Sequence, residues 1–222
     1  MAKKTQGTIV YMQSGNVASI KAITGITKAN PAKVTCSSHG YSDGDVVKIT
    51  GVVGMQEVND RCFIVAGIAN MSPVSGTNAF YLKGVDSTDY TAYTSGGGAY
   101  KATMAAVGEV TSIPEMGGTE PNEIDVSHLQ SVSSQKLAVL PKQSNVTFNV
   151  WFDLTTAMQT TLLKANEDLA DRCFHFTLPG SFNLTVLAQV GGFKVTAGDV
   201  NSAYGGSVTL LPRGAGSWSL TT

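Results

Sequence analysis

Few residues in this chain of 222 are of a type and spacing that could do chemistry. The metal-ligand types are three cysteines (Cys36, Cys62, Cys173) and three histidines (His39, His128, His175). Only Cys36-x-x-His39 and Cys173-x-His175 lie close in sequence. A structural zinc takes four converging ligands, usually as two close pairs, and these two pairs fall in different predicted units. Buried cysteines and hydrogen-bonded or surface histidines are the expectation. Cys173 and His175 would share one strand face, the one arrangement here that a nucleophile and its base could use. There is no Gly-x-Ser-x-Gly elbow, and the glycine runs match neither phosphate-binding loop pattern. Asp43/Asp45 and Asp86/Asp89 lack the twelve-residue calcium loop with its terminal Glu and read as turn formers. The sequence therefore predicts a protein that is not an enzyme, with no catalytic residues, no cofactor and no metal.

Composition points the same way. Lys and Arg number 15 against 16 Asp and Glu, so nothing steers the chain as a whole toward nucleic acid or an anionic membrane. Charged residues are 14% of the chain, against a usual share of about 25%. Apolar residues are 42%, enough for a core. Low charge with 24 glycines suggests surface that is covered by other chains. No stretch approaches the ~20 apolar residues of a membrane span, so no membrane partner is expected. The basic start, Met1-Ala-Lys-Lys, has no apolar run after it, and an odd number of distant cysteines is no disulfide framework, so the expectation is a cytosolic chain without disulfides.

The elements that would position any site are mostly strands. In residues 145–152, Val146, Phe148, Val150 and Phe152 alternate with Asn145, Thr147, Asn149 and Trp151. In 182–190 the inward set is Phe182, Leu184, Val186, Ala188 and Val190, and in 173–178 it is Phe174, Phe176 and Leu178. Leu178-Pro179-Gly180-Ser181 is turn chemistry between two of these strands. Shorter strands fit Phe193–Ala197 and Gly206–Leu211. One helix follows Leu154, with a stripe of Leu154, Met158, Leu162, Ala165 and Leu169. Asp153 or Thr155 would cap it, and its end is expected near Asn166.

Residues 18–103 have another texture. Short strands at Val34–Cys36, Val46–Ile49, Cys62–Ala66 and Phe80–Leu82 are separated by turn clusters, including Gly51 to Gly54 and Asn59-Asp60. This is enough chain for a small β barrel or sandwich. Gly96–Gly98 reads as its exit linker.

Two resemblances follow from particular residues. Gly108-Glu-Val-Thr-Ser-Ile-Pro-Glu-Met-Gly-Gly, followed by Glu123-Ile-Asp-Val-Ser-His-Leu-Gln-Ser, resembles the start of major tail tube proteins of long-tailed, non-contractile bacteriophages, of the lambda-like tail tube family. The turn Leu140-Pro141-Lys142, the alternating strand 145–152, the helix from Asp153 to Leu162-Leu163-Lys164, and the Phe-rich strand ending in Leu178-Pro179-Gly180 follow in that family's order. The likeness covers 107–211 well and 6–17 loosely. Gln130 stands where Asp is common, and Gln135-Lys136 stands where an Arg-Glu pair often follows. Separately, His39-Gly-Tyr-Ser-Asp-Gly-Asp-Val-Val, Gly51-Val-Val-Gly-Met and the stretch from Gly84 to Gly97 resemble the first catalytic cysteine half-domain of ubiquitin-activating enzymes, without a catalytic role for Cys36 or Cys62.

These resemblances imply a mainly β fold: a tail-tube β-sandwich or barrel with one flanking α-helix (residues 1–17 and 104–222), plus an inserted small all-β domain (18–103) projecting outward. They imply a structural virion protein, assembled in the host cytoplasm into the virion tail. Its partners would be itself, in hexameric rings stacked into a tube, and the tape measure, tail terminator and tail tip proteins. DNA would pass through the lumen without sequence recognition. Carboxylates facing a lumen would repel phosphates, and the candidates are Glu109, Glu115, Glu120, Glu123 and Asp125, two of them in an expected loop at 114–122. Ser127, His128, Gln130, Gln135, Lys136 and Lys142 are candidates for inter-subunit contacts, in a segment expected to order only on assembly. A carbohydrate-binding or adhesive β-sandwich module of a phage particle is the alternative, with Tyr81, Tyr90, Tyr93 and Tyr100 available to stack on sugars.

Overall fold

The computed structural model describes residues 6–15, 19–68, 78–127, 132–197 and 203–220. The described chain is mainly β with one α-helix, as its alternation predicts. The strands of the first half are β1 (Ile9–Gly15), β2 (Lys21–Ala22), β3 (Gly25–Ile26), β4 (Lys33–Thr35), β5 (Val46–Val53), β6 (Arg61–Ala66), β7 (Ala79–Leu82) and β8 (Ser95–Ala106). The second half has β9 (Val110–Met116), β10 (Thr119–Asp125), β11 (Lys136–Gln143), β12 (Val146–Trp151), α1 (Ala157–Asp168), β13 (Arg172–Leu178), β14 (Phe182–Thr196), β15 (Gly205–Pro212) and β16 (Ser217–Leu220).

One antiparallel path runs β3-β4-β7-β6-β5-β8-β1-β13-β14-β15-β12-β9, with β16 added on β14 and β2 on β8. Among the described residues, β10 and β11 pair only with each other. The path buries two main cores. The first gathers Ile23, Val34, Val47, Ile49, Phe63, Val65, Phe80 and Leu82, all from residues 23–99. The second gathers Val10, Met12, Phe148, Phe174, Phe176, Leu184, Val186, Val208 and Leu210, with Leu162 and Ala165 of the helix. A third, smaller cluster of Val46, Cys62, Ala102, Cys173 and Leu187 lies where the two halves meet.

Several expectations need correction. Gly96–Gly98 is not a linker. It lies inside β8, where Gly98 pairs with Thr50 and Gly96 with Val52. The same strand then pairs with β1 from Thr103 to Ala106, so one continuous strand joins both halves. Backbone pairing on both sides outweighs the flexibility of the glycines. The segment Gly51 to Gly54 is likewise mostly strand, because β5 continues to Val53. Phe193 and its neighbours form no separate strand; β14 runs on through them to Thr196. Phe182 is exposed rather than inward, since it sits at the strand's first position, beside the turn.

The helix also differs at its ends. Its N-cap is Thr156, with no side-chain cap bond, and it runs to Asp168 before Leu169 turns left-handed at φ 49°. Asp153 instead closes the turn before the helix, accepting the Thr155 amide at 2.8 Å. Leu154 and Leu169, at the ends of the expected stripe, are exposed, and Gln159 is buried with Leu162 and Ala165. No described helix is long and apolar enough to cross a membrane.

Candidate assembly surface

The sequence-predicted residues concentrate on β9, β10 and β11. Residues 114–122 are not one loop: β9 runs to Met116, β10 starts at Thr119, and only Gly117 and Gly118 turn between them. Alternation across the β10–β11 register sorts the hairpin into two faces. Ile124 lies opposite Leu137, and Asn122 opposite Val139. On the other face Asp125 lies opposite Lys136, and Glu123 opposite Ala138. The hairpin is thus amphipathic, yet every residue of β10 is exposed. Ile124 is 52% exposed and Leu137 57%. Both faces of the hairpin meet solvent. An isolated two-stranded hairpin is marginal in water.

The five acidic candidates are all exposed. Glu109 precedes β9 with φ 47°, and its carbonyl accepts the Trp151 amide at 2.8 Å. Glu115 lies opposite Thr147, on the side of β9 away from the core. Glu123 forms an ion pair with Lys136 at 2.9 Å. Glu120 accepts the Ser144 hydroxyl at 2.8 Å and lies opposite Lys142. Asp125 accepts the Ser127 amide at 2.8 Å, and hydrogen bonds from Ser127 hold its carboxyl below the usual range. The structure therefore brings Glu120, Glu123 and Asp125 onto one hairpin, with Lys136 beside Glu123 and Asp125 and Lys142 opposite Glu120. Glu109 and Glu115 stand apart on β9.

Of the contact candidates, Ser127 accepts the Gln135 amide at 2.8 Å, which closes the hairpin beyond its last strand pair. Gln135, Lys136 and Lys142 are exposed. His128 and Gln130 lie outside the described residues.

A second surface was missed by sequence reasoning. β16 reads Ser217-Trp218-Ser219-Leu220, with its serines buried and Trp218 and Leu220 exposed by 51% and 54%. That inverts the usual polar-out order of an edge strand. Trp218, Leu220, Phe182 and Gly84 line an open cavity of about 480 Å³. The signal was the Ser/Trp/Ser/Leu alternation itself, but which face would be covered depends on β14. β9 ends the sheet path, so its outer edge has no strand neighbour among the described residues. Open edges are ready to pair with another chain.

The chemical candidates resolve differently. Cys173 is not a thiol beside a base: it is disulfide-bonded to Cys62, with the two Cα atoms 6.0 Å apart. This also corrects the expectation of no disulfide. The two residues are 111 apart in sequence, and only tertiary folding brings them together. His175 contacts the Thr177 hydroxyl at 3.0 Å and the Thr185 hydroxyl at 3.3 Å, and burial lowers its pKa to about 4. His39 is buried, accepting the Tyr41 amide through Nδ1 and contacting the Ala79 carbonyl at 3.1 Å. Among the described residues no three His, Cys, Asp or Glu side chains gather as a metal site. Asp45 and Asp86 accept the nearby backbone amides of Ser42 and Thr88, as turn formers do, whereas Asp43 accepts the Ile68 amide 25 residues away. Tyr90 and Tyr93 pack against the first core, and the Tyr93 hydroxyl donates to backbone carbonyls.

Comparison with known proteins adds the following. Residues 29–102 match the family described as the ubiquitin-activating enzyme E1 FCCH domain. The match covers about a third of the chain and agrees with the resemblance read in the first half. No curated protein matches the chain. Among solved structures, a chain from the tail of an empty GTA particle with C6 symmetry is similar over 54% of this chain and 87% of that one, at 12% identity and a TM-score of 0.40. A chain of the six-fold symmetrised anti-feeding prophage baseplate is similar over 50% and 80%, at 9% identity and a TM-score of 0.36. Likeness at this level establishes neither fold nor function.

Proposed function

We propose that this chain is a structural virion protein, the major tail tube subunit of a long-tailed phage or related particle. The observation that carries the reading is the β10–β11 hairpin: a strand pair that leaves Ile124 and Leu137 exposed while pairing with no other strand among the described residues. The open edge of β9 and the inverted alternation of β16 support it, because each offers a neighbour backbone or apolar surface. The residues of the tail tube resemblance, 107–211, hold the hairpin and the β9 edge. On this reading residues 18–103 form a module inserted in the tube domain (1–17 and 104–222), and the separate first core supports that division. The module projects outward, six copies form a ring, rings stack, and DNA passes through the lumen without sequence recognition. Glu115 and the charged face of the hairpin are assigned to the bore. Heterologous contacts that close in one direction and repeat in the other build such a tube.

The test is negative-stain electron microscopy of the purified protein across a concentration series, beside an Ile124→Ser/Leu137→Ser variant. Rings or tubes of uniform width from the parent alone are expected. A parent that stays monomeric at every concentration, together with hydrogen exchange showing residues 132–143 as protected as the core, overturns the reading.

A further inference from the structure

We propose that Cys62 and Cys173 form a redox-closed latch between the two halves of the molecule, closed by a small anionic disulfide that enters through the cleft beside Lys48. Cys62 belongs to β6 and Cys173 to β13. They are the centre of the third cluster, which has only three other buried members, Val46, Ala102 and Leu187. The apolar contact between the halves is therefore small, and the bond is the one covalent link across it besides the chain itself. A polar tie beside it is Arg61, whose Nε donates to the Ala215 carbonyl at 3.0 Å.

The surroundings suit thiol–disulfide exchange. Lys48 lies directly opposite Cys62 in the β5–β6 register, so both side chains share a face. A neighbouring cation favours the thiolate, which is the attacking form. Lys48 lines a cleft of about 450 Å³ with Lys101, Thr50, Tyr100, Gln13, Ala102 and Asp171. Ala102 belongs to the cluster around the pair, and Asp171 is two residues from Cys173, so the cleft opens beside the latch. Lys101 is paired with Asp45 at 2.6 Å, whereas Lys48 has no ion pair among the described residues and is left to meet a carboxylate of the oxidant. The third cysteine does not compete: Cys36 lies buried in the first core, where burial raises its thiol pKa.

The exchange balances with oxidised glutathione as the oxidant. The Cys62 thiolate attacks one glutathione sulfur; that S–S bond breaks, a mixed disulfide forms and one glutathione thiolate leaves. The Cys173 thiolate then attacks Cys62 Sγ and expels the second glutathione. Two protein thiols are oxidised, one glutathione disulfide is reduced to two thiols, and the two protein protons pass to the leaving thiolates. Once closed, both cysteines are buried, at 1% and 0% exposure, so a reductant reaches the bond only through local opening. Thiols stay reduced in the cytosol, so a chain made there closes its latch on reaching an oxidising medium. That timing rests on the virion reading; the latch itself does not.

The test uses the full chain purified under reducing, anaerobic conditions and then exposed to oxidised glutathione near neutral pH. Peptide mapping is expected to show loss of two thiols, joined as Cys62–Cys173, with Cys36 still free. Lys48→Met is expected to slow closure about three- to tenfold. Hydrogen exchange in β6 and β13 is expected to fall on closure in the parent, and to stay unchanged in Cys62→Ser and Cys173→Ser. Cys62 and Cys173 remaining thiols in the folded protein overturns the latch, as does equal exchange in reduced and oxidised parent chains. Closure at the parent rate in Lys48→Met overturns the entry route. Closure in a protein that forms no rings leaves the latch standing and counts against the tube.

Discussion

Phe148 and Phe176 meet edge to face, with ring centroids 6.2 Å apart, although β14 and β15 lie between their strands in the sheet. The contact shows that this half of the sheet curls until its faces meet, which is what closes the second core. Both rings are fully buried. Phe148→Ala is expected to cost about 3–5 kcal/mol, because it removes the ring and leaves a cavity. Thermal or denaturant unfolding checks this, and a loss under 1 kcal/mol would show that the contact is not part of the core.

Gln159 is fully buried on the helix and joins it to the preceding strand. Its side-chain amide donates to the Trp151 carbonyl at 2.8 Å, and its oxygen accepts the Asp153 amide at 2.9 Å. Gln159→Leu keeps the bulk but loses both bonds. A loss of about 1–3 kcal/mol is expected, with faster exchange at the Asp153 amide as a second readout.

His175 sets a pH dependence of known sign. Burial lowers its pKa to about 4 from its ordinary value of 6.5, so the fold prefers the neutral ring. Below about pH 6.5 the unfolded chain takes up a proton that the folded chain refuses. The stability this preference contributes is fully present above pH 6.5 and is lost as pH falls toward 4. The ring is partly solvated, so about 1–2 kcal/mol is expected rather than the full shift. Melting curves between pH 4 and 7 for the parent and His175→Gln test it; parallel curves would contradict the assignment.

Gly84 has φ +71°, and a Cβ there would lie 2.5 Å from the Trp218 carbonyl oxygen. The position thus combines a left-handed backbone with a close approach between the two halves. Gly84→Ala is expected to destabilise by about 1–3 kcal/mol. Ala at this site with an unchanged melting temperature would mean that β16 does not press on this turn.

Ile124 and Leu137 contribute little to the isolated chain because both are exposed. Ile124→Ser/Leu137→Ser is expected to leave monomer stability within about 0.5 kcal/mol while lowering self-association. Sedimentation velocity separates the two effects. Equal association of parent and variant would remove the hairpin from the assembly surface.

Local alternation determined much of this fold. The buried sets Val146/Phe148/Val150 and Phe174/Phe176 are written at period two, and the helix at Ala157–Asp168 is written by its apolar spacing. Glycine positions misled, because Gly96–Gly98 reads as a linker until β5 supplies the hydrogen bonds that hold it in β8. The tertiary structure alone decided the distant pairings. Cys62 meets Cys173 across 111 residues, Phe182 falls outside the core its alternation assigned it to, and Trp218 faces solvent while its flanking serines are covered. The physical reason is the same in each case. A strand's own residues set which side chains share a face, but the sheet's curl and the packing of the two halves set which face is buried.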